Sequence, residues 1–276
     1  MAMAKRAQLL VTRPVWLGQQ DAWLQALREA AVCAKVCVIS APLQRLACID
    51  QAEEQALVPL VESLCNDPVP GPVWLVATSP SACQALAQLP RLCRSLLQLG
   101  ARVRLAAIGG ASAQALAQVL RPGRALDEAS ADILTAASVG DAETLAREMV
   151  GRLEGEAPAF LLEALDNRPR LAEVLSQAGF RVLRLPIYAR SPENFPAVPP
   201  SEGPRWVLLS SSRLAEPAVR GLERQQIAAD QVIWMGHHSA IEEAVRALVP
   251  RAAWVRVDRL TPTTILESIS NGSSTP

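Results

Sequence analysis

Short apolar runs recur along the chain, with amphipathic stretches between them. Runs at 8–12, 36–39, 73–77, 103–108, 159–163, 181–185, 205–209, 231–235 and 253–257 are rich in Val, Leu and Ile. Their near-continuous apolarity predicts strands covered on both faces, as in parallel sheets. Between them the pattern turns helical. In 18–31 the apolar positions Trp23, Leu24, Leu27 and Ala31 fall on one face. Ser79-Pro80 and Thr261-Pro262 each put a capping residue before a proline at the first helical position. Ser112 is expected to cap 112–120, and Asp141 and Asn167-Arg168-Pro169 to open further helices. Gly100 and Gly179 stand where a helix stops before a strand.

Alternating strands and helices predict an α/β protein with two doubly wound parallel-sheet domains of the flavodoxin-like kind. Two segments, 40–52 and 186–204, carry proline and lack helical periodicity, which suits connections between domains. If the chain crosses at both, residues 1–42 and 188–276 form one domain and 45–185 a second, inserted one, joined by a two-stranded crossing. The five runs outside the insertion and the four inside it, with a weak strand candidate at 124–127, agree with that division. The tail 271–276 is expected to be disordered. An internal echo supports two similar halves. VATSPSACQAL resembles LLSSSRLAEPAV, and AAIGGASAQAL resembles IWMGHHSAIEEA.

A length of 276 residues suits two such domains, and 50% apolar residues can fill two cores. Lys plus Arg and Asp plus Glu both number 27, so the net charge is zero, which argues against a general nucleic-acid or membrane-surface binder. No apolar stretch approaches the roughly 18 residues of a membrane span. The apolar run near the N-terminus is interrupted by Arg13 and Pro14, unlike a signal peptide, so a cytoplasmic protein is expected. All six cysteines precede residue 94 without a C-x-x-C pair or a nearby histidine, so they are expected to be buried apolar fillers, not zinc ligands.

In folds of this kind ligands bind beyond the carboxyl ends of strands, where helix N-termini offer free N–H groups to anions. The residues there are Arg13, Thr78, Ser79, Gly109 to Ser112, Ser210 to Ser212 and Gly236 to Ser239, a composition that suits carboxylate or phosphate recognition. Ordinary helix capping explains the same hydroxyls. Nucleotide glycine fingerprints and the nucleophile elbow are missing from the sequence. The only histidines, His237 and His238, have no acidic or cysteine neighbour for a metal and suit a loop near an anion. The single tyrosine, Tyr188, lies in a crossing segment, where its phenol could give a proton to a leaving hydroxyl or simply pack a hinge.

This arrangement resembles the uroporphyrinogen-III synthase family. Val11-Thr12-Arg13-Pro14 looks like that family's first strand and loop, and Thr78-Ser79 like its Thr-Ser pair. Gly109-Gly110-Ala111-Ser112-Ala113 and Gly236-His237-His238-Ser239-Ala240 are similar to its two glycine turns. Arg168 through Leu175 to Gly179 matches a helix, and Leu185-Pro186-Ile187-Tyr188 the return crossing. The likeness runs from about residue 9 to 269; Glu163-Ala164 stand where the family commonly has Arg-Gly. The resemblance implies a cofactor-free lyase of heme biosynthesis, with its active site in a cleft between the domains. It implies cyclisation of hydroxymethylbilane to uroporphyrinogen III, with loss of water and inversion of the last ring. It places Tyr188 as the catalytic residue. Arg13, Thr78, Ser79, Ser112, Arg168, Ser210, Ser211, His238 and Ser239 become substrate-binding residues. A monomer is expected, with transient contact to the preceding pathway enzyme. A non-catalytic homologue that binds a tetrapyrrole or a partner enzyme is the alternative.

Overall fold

The computed structural model describes residues 6–65, 72–123, 125–136, 142–152 and 157–272. In chain order the first elements are β1 (Ala7–Val11), β2 (Val15–Trp16), α1 (Ala22–Ala34), β3 (Val36–Ser40) and β4 (Gln44–Cys48). Next come α2 (Gln51–Cys65), β5 (Val73–Ala77), α3 (Pro80–Ala87), α4 (Pro90–Gln98), β6 (Val103–Ala107) and α5 (Gly110–Leu120). Then follow α6 (Leu126–Ala131), β7 (Leu134–Thr135), α7 (Ala142–Val150), β8 (Pro158–Ala164), α8 (Arg170–Gln177) and β9 (Arg181–Pro192). The chain ends with β10 (Arg205–Leu208), α9 (Ala215–Arg224), β11 (Ile233–Gly236), α10 (Ser239–Leu248), β12 (Ala253–Arg256) and α11 (Pro262–Gly272).

Internal contacts divide the chain into unit 1, residues 1–46 with 191–276, and unit 2, residues 47–190. Each has a mixed α/β architecture on parallel strands, the expected fold class. Both passages between the units are made by strands, β4 and β9, which are neighbours in hydrogen-bonded order.

In unit 1 the sheet runs β12-β11-β10-β1-β3, all parallel. Successive residues of β1 point to opposite faces. Leu9 and Val11 join Leu27, Trp206 and Ile265 on one side, while Leu10 joins Val207, Leu222, Trp234 and Ile241 on the other. In unit 2 the order is β9-β8-β5-β6-β7. Here Trp74, Val76 and Leu161 pack with Leu145, Leu175 and Phe180. The three fully buried tryptophans, Trp74, Trp206 and Trp234, serve these cores. At the start of α4, Leu89 offers no side-chain cap, and the buried carboxylate of Glu54 on α2 accepts from the N–H groups of Arg91 and Leu92 instead.

Several expectations change. The crossing at 40–52 ends sooner, because Asp50 and Glu53 bond each other's N–H groups in a capping box and open α2. The crossing at 186–204 is strand as far as Pro192. Proline is admitted because β8 and β9 shift register there: Glu163 faces Pro186, and Ala164 faces Tyr188. Residues 126–131 of the weak strand candidate's neighbourhood are helix, and the edge strand comes later as β7. Arg124, Asp141 and the tail from residue 273 lie outside the described residues. Ser112 is the third residue of α5, not its cap; Gly109, at φ 81°, makes the entry, in the left-handed region that glycine tolerates. The cysteines are not uniformly buried. Cys83 is, Cys48 and Cys93 are partly covered, and Cys33 and Cys37 are exposed. Burial pushes the Cys83 thiol up to about 12 and, with Glu54 nearby, the Cys48 thiol up to about 11, so neither is poised as a nucleophile.

Candidate functional site

The strand ends of unit 2 carry a connected set of polar side chains. Thr78 follows β5, and both its N–H and its hydroxyl donate to the carbonyl of Leu162 on β8, the hydroxyl at 2.8 Å. That clasp holds the next residue, Ser79, in an extended conformation at the N-terminus of α3. Ser79 Oγ accepts from the N–H of Ala82 at 3.1 Å, an ordinary N-cap. It also lies 3.2 Å from the phenol oxygen of Tyr188.

Tyr188 owes its placement to the bulge. The register shift beside Pro186 leaves consecutive residues, Ile187 and Tyr188, both buried. The Tyr188 ring is only 1% exposed. Two residues on, Arg190 falls on the same side of β9. Its Nη2 donates to the phenol oxygen at 2.9 Å, and its guanidinium carbon lies 5.3 Å from the ring centroid. The other end of the guanidinium binds Asp166 at 2.9 Å. A chain of contacts thus runs Asp166, Arg190, Tyr188, Ser79.

Glu163 does not present a bare negative charge. Its side chain is buried, ion-paired to Arg184 and bonded to the amide of Asn167 at 2.9 Å. Arg184 also donates to the carbonyl of Asn167, which ties down the loop before α8. Arg168 in that loop is exposed. Ser112 is buried in α5, and its backbone carbonyl accepts from the Cys83 thiol, so its hydroxyl is not displayed at a strand end.

Unit 1 presents a different set. Thr12 repeats the clasp, donating from N–H and hydroxyl to Leu208 on β10. Arg13 then stacks over Trp23 at 4.6 Å and faces Asp21 at 3.6 Å, the same Asp21 that caps α1. Burial lowers the Arg13 pKa and Asp21 raises it, the first effect being larger. Ser211 accepts from the N–H of Arg213, and Ser210 is half-buried beside it. Gly236 is needed for close approach, since a Cβ there would come within 2.8 Å of the Trp254 ring. His238 is half-buried at the start of α10, and Ser239, its first residue, is exposed. His237 brings no positive charge near neutral pH. Burial, and secondarily His238, lower its pKa to about 4, and its buried Nδ1 has no hydrogen-bond partner among the described residues.

The residues that sequence reasoning missed are Arg190, Asp166, Arg184 and Asn167. Tyr188 and Arg190 at i and i+2 on a strand were a legible signal, because such residues share a face. Nothing local marks the pairing of Arg184 with Glu163, which depends on the register of β8 and β9.

A model of the family described as uroporphyrinogen-III synthase HemD matches residues 36–255. No curated protein matches the chain by sequence. Among solved structures, a mutant uroporphyrinogen III synthase from the extremely thermophilic bacterium Thermus thermophilus is similar at 15% identity and a TM-score of 0.57, covering 94% of this chain and 99% of that one. Uroporphyrinogen-III synthetase from Helicobacter pylori is similar at 12% identity and a TM-score of 0.52, covering 94% and 99%. At these identities the structural likeness carries the fold. The family match spans most of the chain, which belongs to the uroporphyrinogen-III synthase family, with that family's function as a lyase of porphyrin biosynthesis.

Proposed function

We propose that this family member closes hydroxymethylbilane to uroporphyrinogen III, using a proton held at Tyr188. The carrying observation is the phenol oxygen, 2.9 Å from the Arg190 guanidinium and 3.2 Å from Ser79 at the head of α3. The substrate's terminal hydroxyl leaves as water only if it gains a proton. Loss of water gives an azafulvene; attack by the substituted ring carbon gives a spiro intermediate; fragmentation and reclosure invert the last ring. A charge-assisted bond from Arg190 stabilises the negative charge left on the phenol oxygen.

The remaining work is to hold a flexible polycarboxylate in a curled shape, which is mainly positioning. Arg13, Arg168, Ser210, Ser211, His238 and Ser239 are the carboxylate-binding groups in this reading, with the free N–H groups at the starts of α3, α5 and α10. Thr78 contributes by placing Ser79, since its hydroxyl is already engaged with Leu162. Ser112 contributes through the backbone at the entry of α5. No cofactor takes part in this reading. The enzyme works as a cytoplasmic monomer, with transient contact to the enzyme that supplies its substrate. Among the described residues, no helix is long and apolar enough to cross a membrane.

The test supplies freshly made hydroxymethylbilane to the purified protein and separates the oxidised products by isomer. Type III product above the spontaneous type I background is expected. Tyr188→Phe should lower turnover by about tenfold or more with little loss of stability, because one hydroxyl goes and the ring stays. Type I product alone from folded protein rejects the enzyme reading in favour of a non-catalytic homologue.

A further inference from the structure

Tyr188 is buried, yet the departing hydroxyl must be reached from outside. The hydrogen positions demanded by its neighbours resolve the conflict. Arg190 has no acceptor, so its N–H must donate to the phenol oxygen. The N–H of Ala82 likewise donates to Ser79 Oγ. Each oxygen therefore already accepts one bond, and one hydroxyl hydrogen lies in the 3.2 Å between them.

Two arrangements are possible. If Ser79 donates to Tyr188, the phenol hydrogen points away from Ser79, inside a site that leaves the ring 1% exposed. If Tyr188 donates to Ser79, the phenol proton lies on the path outward. The serine hydrogen is then not spent on Tyr188, and it belongs to a side chain that is only half-buried. Of the two, the second presents a proton where a substrate oxygen can come within hydrogen-bond reach.

From this geometry we infer that Ser79, not Tyr188, is the group that touches the leaving hydroxyl, and that Tyr188 feeds it. This rests on the reading of the chain as a synthase. The step balances. The leaving hydroxyl takes the Ser79 proton as the carbon–oxygen bond breaks and departs as water. The electron pair of that bond leaves with the oxygen, and the pyrrole nitrogen lone pair fills in to give the azafulvene in its N-protonated, cationic form, whose charge balances the phenolate left behind. Ser79 Oγ takes the Tyr188 proton in the same motion. The phenolate that remains faces the Arg190 guanidinium, which Asp166 holds from its other end at 2.9 Å. Ser79 is then a catalytic residue, and Arg190 and Asp166 are positioning residues.

The alternative role for Ser79 is the cap alone, and substitutions separate the two. Ser79→Asn keeps a capping oxygen for the N–H of Ala82 but has no hydroxyl to relay a proton. Ser79→Thr keeps both. The relay predicts that the Asn variant melts within a few degrees of the parent while kcat falls about tenfold or more and KM changes less than about threefold. It predicts that the Thr variant keeps at least about a third of parental kcat. Arg190→Gln should also lower kcat, leaving KM nearly unchanged. The Ser79→Asn, Tyr188→Phe double variant should be no slower than the slower single, because residues of one chain fail together. Parental kcat in folded Ser79→Asn, or multiplying losses in the double variant, overturns the relay. A parent enzyme that makes no type III isomer instead overturns the synthase reading itself, so the two failures are distinguishable.

Discussion

Ser79 and Ser211 make an instructive pair. Each follows a central strand of its sheet, each is extended, and each accepts a bond from an N–H just downstream. The internal echo in the sequence aligns them. Only Ser79 is tied to a phenol and, through it, to a guanidinium and a carboxylate. Unit 1 carries in its place a stacked Arg13 and an uncharged His237. A duplicated backbone plan has thus been furnished differently. Unit 2 holds the groups that can move a proton, and unit 1 holds a cation fixed by an aromatic ring. Similar loops do not imply similar work.

The largest expected effect tests whether unit 2 depends on its buried ion pair. Arg184→Met leaves the Glu163 carboxylate buried beside the Asn167 amide without its cation. Removing one member of a buried pair costs about 3–5 kcal/mol, and the partial exposure of Arg184 reduces this to about 2–3. Thermal unfolding of the full chain should show the loss, and hydrogen exchange should place it in β8 and β9 and not in the sheet of unit 1. The double variant Glu163→Leu, Arg184→Met should recover most of it. A loss in the double variant equal to that in the single would remove the stranded charge as the cause.

A smaller effect belongs to unit 1 and to pH. His237 has a pKa of about 4 in the folded chain against the ordinary 6.5, burial being the main cause. The unfolded chain therefore binds this proton first as pH falls from 6.5 towards 4, and stability falls with it. The full shift corresponds to roughly 3 kcal/mol, which the half-exposed setting reduces to about 1–2. Urea unfolding near neutral pH and again at about pH 4.5 should show a smaller drop for His237→Gln than for the parent. An identical drop would assign the pH dependence to other groups.

The split between legible and illegible features follows the same logic. Each of the nine strand runs became a strand; β5 and β8, buried at every residue, show the reason at its clearest, because a strand covered on both faces must be apolar almost throughout. The caps at Ser79 and Thr261 were legible because capping is local. Ser112 and Ser239 occupy matching places in the echo, yet α5 begins two residues earlier than α10 relative to its glycine. Gly109 takes a left-handed conformation that lets the next residue enter the helix, and Gly236 does not. Periodicity cannot register such a difference. The burial of Tyr188 was equally hidden, since it depends on the bulge opposite Glu163, a property of strand pairing. Proline inside the run RLPIY was the one trace of it.

The smallest effect sharpens the comparison at the two threonine clasps. They are built from opposite sides. In unit 1 the hydroxyl sits after β1 and reaches β10; in unit 2 it sits after β5 and reaches β8. Both bonds measure 2.8 Å, but Thr12 is fully buried and Thr78 is half-exposed. A buried carbonyl that loses a donor has no water to replace it, whereas a half-exposed one does. Thr12→Val should therefore cost about 1 kcal/mol and Thr78→Val about half of that. Both variants keep the β-branched shape, so packing changes little. Denaturant midpoints measured on the full chain give the two costs directly. Equal costs would mean that water does not reach the Leu162 carbonyl when the Thr78 hydroxyl is gone, and the strand end that carries Ser79 would then be as dry as the one that carries Arg13.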